Sequence, residues 1–225
     1  MLRRTLRPAV STAEIDSWVQ EETRRLGGTP APLNYEGFSK SCCISADDVV
    51  CHGIPSAGEL LCAGSIVNVD LSTELDGFFS DASRMFCIGA VPDEKRRLTE
   101  VAADCVQAGL AAARPWGFLG DIASAVQLCA ERAGFSVVRE IGGHGIGLAF
   151  HEEPWVGYTA PPHTGMVLAP GLCFTIEPMI NMGSPEITVD ARDGWTVRTR
   201  DGLPSAQWEI QVLITETGCE VLEIG

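Results

Sequence analysis

No two cysteines in this chain stand in a C-x-x-C or zinc-ribbon spacing, and their odd number, nine, with Cys42 and Cys43 adjacent, does not make a disulfide framework. A reduced, cytoplasmic protein follows from that usage. Positive charge is scarce as well: 16 Lys and Arg against 30 Asp and Glu leave a formal net charge of -14. Such a surface repels nucleic acid and anionic membranes, so direct binding to either is not expected. No stretch approaches the ~20 apolar residues of a membrane helix, and no apolar segment follows the basic start Met1-Leu2-Arg3-Arg4-Thr5-Leu6-Arg7 that a targeting peptide would need. Aromatic residues are few, at 7% of the chain, yet total hydrophobic content is 45% over 225 residues. That is enough for a full core, and a single domain over 1–225 is expected.

What the chain does have is a set of carboxylates in apolar surroundings. Asp70 ends the alternation Ile66-Val67-Asn68-Val69-Asp70, Asp81 ends Gly77-Phe78-Phe79-Ser80-Asp81, and Asp76-Gly77 between them is a hairpin turn signal. The two aspartates are expected to face each other across an antiparallel ladder, where like charges repel unless a cation lies between them. His144 stands in Gly142-Gly143-His144-Gly145-Ile146-Gly147, whose glycines allow close backbone approach. Glu177 closes the strand Cys173-Phe174-Thr175-Ile176-Glu177 before Pro178, and Glu209 opens the apolar run from Trp208 to Ile214, where burial is costly without a counter-charge. Four carboxylates and one imidazole, with no thiolate, suit a pair of divalent ions such as cobalt, manganese, iron or zinc. Paired divalent ions activate water, so hydrolysis is the chemistry expected. His52 and His151 also lie in Gly-rich or Pro-flanked apolar stretches, whereas His163 reads as a loop residue.

These segments resemble the type I methionine aminopeptidases. The resemblance is carried by Cys51-His52-Gly53-Ile54-Pro55, Asn68-Val69-Asp70, Gly77 to Asp81 with Ser83, Gly143 to Gly147, Phe150-His151-Glu152-Glu153-Pro154, Phe174 to Met179 and Ala206-Gln207-Trp208-Glu209. It implies an α+β pita-bread fold, with a curved antiparallel sheet flanked by helices and two pseudo-symmetric halves, roughly 1–92 and 93–225. It implies Asp70, Asp81, His144, Glu177 and Glu209 as ligands of two divalent metal ions, with Asp81 and Glu209 bridging. It further implies His52 and His151 as catalytic residues near the scissile amide, Glu177 as general base, and a methionine pocket of Tyr35, Phe38, Cys43, Phe150 and Trp195 beside the two histidines. Aromatic rings suit a thioether. The implied function is removal of N-terminal methionine from peptides and nascent proteins. An Xaa-Pro aminopeptidase or dipeptidase of the same fold, and a non-catalytic peptide-binding relative, are the alternatives. Glu36, Ile210 and Pro32 depart from the family pattern, which commonly has histidines at the first two positions and cysteine at the third.

An internal repeat supports two halves. Arg7-Pro8, Ile15, Val19-Gln20 and Gly27 recur at a constant offset as Arg114-Pro115, Ile122, Val126-Gln127 and Gly134, each set reading as linker, amphipathic helix and glycine stop, with Ser11 or Thr12 as a helix cap. Helices are expected over 94–114 and 121–133, and strands near 136–141, 172–177, 186–190, 195–199, 207–214 and 219–223. The 94–114 helix has no counterpart in the first half, where the family's first N-terminal helix is missing. The apolar face left open there is expected to be compensated by repacking, by self-association or by lower stability.

Overall fold

The computed structural model describes residues 6–222, and Met1 to Thr5 of the basic N-terminal segment lie outside them. The chain order is α1 (Thr12–Arg25), β1 (Thr29–Pro30), a 3-10 turn (Tyr35–Gly37), β2 (Cys43–Ala46), β3 (Val49–Cys51), β4 (Ile66–Leu75), β5 (Phe78–Cys87), α2 (Asp93–Ala112) and α3 (Leu119–Arg132). Then follow β6 (Ser136–Val137), β7 (Gly143–Gly145), β8 (Glu152–Val156), β9 (Cys173–Ile176), β10 (Met179–Asn181), β11 (Ile187–Val189), β12 (Val197–Thr199), β13 (Ser205–Gln207), β14 (Ile210–Ile214) and β15 (Cys219–Val221).

Helices α1 and α3 stop by the same chemistry but start differently. Ser11 Oγ accepts the Glu14 N–H while Glu14 Oε2 accepts the Ser11 N–H, a reciprocal cap of two otherwise unpaired donors. At α3 the Phe118 ring cannot accept, and the Asp121 carboxylate alone takes up the Phe118 N–H at 2.9 Å. Both helices end at a glycine in the left-handed region, Gly27 at φ 90° and Gly134 at φ 84°.

The repeat extends to strand register. Thr29 and Pro30 pair with Glu74 and Thr73, while Ser136 and Val137 pair with Asn181 and Ile180. Every residue of the second set lies 107 positions after its counterpart in the first, the same offset that carries Thr12 to Leu119.

All pairings are antiparallel, and β14 and β9 continue the floor begun by β10 and β13. The larger core packs α2 and α3 on the sheet through Leu98, Val106, Ile122, Val126, Phe174, Ile176 and Val212. Gly109 allows the close approach, since a methyl group there would stand 3.1 Å from Ile176 and 3.2 Å from Val126. A smaller core joins Ile15 and Val19 of α1 to Ile44, Val67 and Val69. On the outer side of β4 and β5, Leu71 and Phe86 are half-buried, and Leu75 and Phe78 are exposed.

Three expectations change. The strand expected over 136–141 is only Ser136–Val137, because the chain turns toward the glycine segment. The run expected over 207–214 is two strands, with Trp208 and Glu209 in the gap. Asp70 and Asp81 do not face each other: Asp70 pairs with Ser83, and Asp81 with Ser72. The Asp76-Gly77 turn sets this register, both residues having positive φ (54° and 84°) as a two-residue type I′ hairpin requires. The aspartates are diagonal neighbours on one face.

Candidate metal centre

Five elements deliver the five candidate ligands to one place. Asp70 and Asp81 come from the hairpin, and His144 from the middle of β7. Glu177 comes from the Pro178 break between β9 and β10, and Glu209 from the break between β13 and β14. The register on either side of those breaks, Ile176 with Ile210 and Met179 with Gln207, sets Glu177 opposite Glu209. Asp81, His144 and Glu209 each offer one donor atom within 4.8 Å of the others. His144 Nε2 lies 3.8 Å from Asp81 Oδ2 and 3.6 Å from Glu177 Oε1.

Three of the five, His144, Asp81 and Glu177, are each oriented by a neighbour. The His144 Nδ1–H donates to Gly145 O at 3.0 Å, which leaves the Nε2 lone pair facing the carboxylates. Ser72 Oγ donates to Asp81 Oδ1 at 2.8 Å, and the Asp81 N–H donates to Gln211 Oε1. Thr175 Oγ1 and Gln207 Nε2 donate to the two oxygens of Glu177 at 2.6 and 2.9 Å. The Glu177 N–H donates to the buried Tyr158 hydroxyl at 2.7 Å. Gly143 is required at this floor, because a Cβ would stand 2.6 Å from that hydroxyl and 2.5 Å from Thr175 O.

Burial raises the proton affinity of every carboxyl in the group. Asp70 is pushed up to about 6 and Glu177 to about 8, in both cases mainly by burial. Asp81 and Glu209 are raised well above the ordinary range by burial and by the neighbouring carboxylates. Asp70 Oδ1 and Glu209 Oε2 are buried without a hydrogen-bond partner. Buried acceptors left unpaired are costly, and a divalent cation would remove both the orphaned oxygens and the mutual repulsion. The residues present fit such an ion.

The five groups line one wall of a cavity of about 470 Å³ whose other walls include Tyr35, Phe38, Cys43, His52, Phe150, His151 and Trp195. All the pocket and catalytic residues expected from sequence therefore reach the same space. His151 packs against Phe150 and His144, with ring centroids 4.2 Å away in both cases, and Tyr35 packs on Phe150 at 4.9 Å. Phe38 and His52 both make edge contacts with Trp195. Burial lowers His52, and burial with His144 and His52 brings His151 down to about 4, so both imidazoles are neutral at pH 7. His52 holds φ at 55°, a left-handed conformation uncommon outside glycine. Pro32 and Glu36 also line the cavity, while Ile210 is buried in β14. His163 is exposed and paired with Asp121, away from this site.

The sequence profile of metallopeptidase family M24 matches residues 1–216. This chain belongs to that family. A relative from Haemophilus influenzae, named methionine aminopeptidase, is 44% identical over 226 residues, spanning 100% of this chain and 84% of its own length. The crystal structure of methionine aminopeptidase from Rickettsia prowazekii matches with a TM-score of 0.96 at 41% identity, covering 98% of this chain and 88% of that one. The fold is thus the pita-bread fold of the M24 enzymes. The prolidase from Pyrococcus furiosus matches at a TM-score of 0.76 and 21% identity, with 99% of this chain and 58% of that chain covered, and shares the fold alone.

Sequence reasoning missed several residues of this M24 site: Ser72, Tyr158, Thr175, Gln207 and Gln211. A signal existed for four of them. Ser72, Thr175, Gln207 and Gln211 each stand two positions from a ligand candidate, which on a strand means the same face. Tyr158 carried no such mark.

Proposed function

We propose that this chain is a metal-dependent aminopeptidase that removes N-terminal methionine from peptides and nascent proteins. The observation that carries the reading is the convergence of four buried carboxyls and one oriented imidazole, two of their oxygens unpaired, on a cavity walled by aromatic rings and a thiol. Asp70, Asp81, His144, Glu177 and Glu209 would hold two divalent ions, with cobalt, manganese, iron and zinc compatible with the donor set. Bound there, the ions would supply positive charge that polarises the substrate carbonyl and lowers the pKa of water.

The protein's own groups do the rest. Tyr35, Phe38, Cys43, Phe150 and Trp195 enclose the methionine side chain, burying its thioether against rings. Glu177, whose oxygens are fixed by Thr175 and Gln207, is placed to take and return a proton. Neutral His151 has one ring N–H to donate toward the scissile carbonyl, and neutral His52 stands toward the amide nitrogen. The Cys51-His52-Gly53-Ile54-Pro55 segment favours methionine removal over proline-specific cleavage.

The test is incubation of metal-loaded protein with Met-Ala-Ser and Ala-Pro-Pro peptides. Release of methionine alone is expected, release of alanine from the second peptide would select the proline-specific reading, and inertness with every metal would select a binding protein. His151→Ala is expected to retain metal by elemental analysis while kcat falls about 10²–10⁴-fold.

A further inference from the structure

The cavity carries more negative charge than the metal centre uses. Six carboxylates line it, and four of them are Asp70, Asp81, Glu177 and Glu209; the other two are Glu36 and Glu140. No lysine or arginine lines it. Two divalent ions would balance the four inner carboxylates, which leaves Glu36 and Glu140 uncompensated, and with a single ion the negative surplus is larger still. Both side chains belong to exposed residues, so they sit where the cavity meets solvent. Glu36 comes from the 3-10 turn of the first half, and Glu140 from the segment between β6 and β7 in the second. Among the described residues neither makes an ion pair, and Glu140 accepts only the adjacent Arg139 N–H. Glu36 adjoins Tyr35 of the aromatic pocket, so a peptide whose first residue fills that pocket would carry its third and fourth residues toward this solvent edge.

We infer that Glu36 and Glu140 set a charge preference for the substrate downstream of the scissile bond, favouring peptides with a basic residue at the third position over acidic ones. The inference rests on the aminopeptidase reading above and adds a specificity to it. A solvent-exposed carboxylate attracts or repels a flexible charged side chain only modestly, and the combined effect of two is about three- to ten-fold in kcat/KM at low salt. Screening weakens it steeply as the Debye length shrinks from ~30 Å at 0.01 M salt to ~3 Å at 1 M.

The experiment compares kcat/KM for the C-terminally amidated peptides Met-Ala-Lys, Met-Ala-Glu and Met-Ala-Ser, each at 0.01 M and 0.5 M salt. The ratio of the lysine to the glutamate peptide is the readout, so each variant is its own control for folding and metal content. The expected result is a several-fold ratio at low salt that collapses at high salt and falls toward one in the Glu36→Gln, Glu140→Gln double variant. Glu36→Asp, which keeps the charge, retains the preference. A ratio near one in the unmodified enzyme overturns the proposal, as does a ratio that both glutamine substitutions leave intact. Failure to cleave Met-Ala-Ser as well would remove the aminopeptidase reading itself, and this inference with it.

Discussion

The first half of the molecule offers its two carboxylates from an unbroken hairpin, and the second half offers its two from a ladder broken in both strands. In the first, β4 and β5 pair continuously from Ile66–Cys87 to Leu75–Phe78, and Asp70 and Asp81 lie diagonally, each facing a serine. In the second, Pro178 interrupts one strand and Trp208-Glu209 the other, and the glutamates meet face to face at the gap. The 107-residue offset maps Asp70 onto Glu177 and Ser72 onto Met179, whose ladder partners are Asp81 and Gln207. On the return strands the acids are therefore not equivalent: Asp81 corresponds in register to Gln207, and Ser83 to Glu209. A duplicated scaffold has arrived at a four-carboxylate centre by two local solutions, with shorter acids where the backbone is continuous and longer ones where it parts. The Ser83 carbonyl accepts the Glu209 N–H at 3.2 Å, so the two solutions are tied directly to each other.

Removing one acid from each half is the most severe way to break this comparison. Asp81→Ala and Glu209→Ala are both expected to abolish binding of two ions, with activity falling by more than the ~10–100-fold typical of losing an outer hydrogen-bond partner. Elemental analysis and calorimetric titration would read the stoichiometry, and two ions retained in either variant would sink the shared centre.

Proton linkage probes carboxyls of both halves in the metal-free protein. A carboxyl whose folded pKa is raised holds its proton after the unfolded chain has released it, so stability is lost as pH rises from the unfolded to the folded value. For Asp70 that window runs from 3.8 to about 6, and for Glu177 from 4.5 to about 8. Thermal unfolding without metal should therefore show stability falling by about 1.4 kcal/mol per pH unit for each such group. Asp70→Asn should lessen the slope between pH 3.8 and about 6, and Glu177→Gln between pH 4.5 and about 8. Excess metal should restore stability at neutral pH. A pH-independent melting temperature would contradict the assignment.

A milder change sharpens the comparison at the level of support. Ser72→Ala removes the hydroxyl that holds Asp81, and Gln207→Ala removes the amide that holds Glu177. Metal affinity should drop about 10–100-fold in each, but only Gln207→Ala should also alter the pH profile of kcat, because only Glu177 is assigned a moving proton. Smallest of all, Ser11→Ala removes the side-chain acceptor of a reciprocal cap that α3 lacks, and should cost about 1 kcal/mol in denaturant unfolding. An effect beyond ~2 kcal/mol would mean that Ser11 does more than cap α1.

What the sequence made legible was local or repeated. The Ser11 cap, the Asp76-Gly77 turn and the glycine stops act within a few residues, the constant offset between halves is a repeat, and each stands in the structure where the pattern placed it. Four candidate ligands were readable because a carboxylate ends or interrupts a largely apolar segment, and His144 because it stands among glycines. Register was not legible: the distance of Asp70 and Asp81 from their turn had to be counted in ladder pairs, and the type I′ geometry put them two residues out of opposition. The split of the 207–214 run escaped for a related reason, since both Trp208 and Glu209 suit a strand locally and only the far partners, Ser83 O and Thr99 O, draw them out of the ladder. Tyr158 escaped because nothing in its neighbourhood in sequence signals that its hydroxyl will end 19 residues away, beneath Glu177.

Gly143 has a consequence for how this protein can change over evolutionary time. The room that any larger residue would need is held by the Tyr158 hydroxyl and by Thr175, and both are already committed to Glu177. A smaller residue at 158 would relieve one of these contacts while stranding the amide hydrogen of Glu177, and the backbone carbonyl of residue 175, 2.5 Å from such a side chain, is there whatever residue stands at that position. No replacement at 158 or 175 opens the way by itself, so a lineage keeps glycine at 143 for as long as the two strands keep their paths.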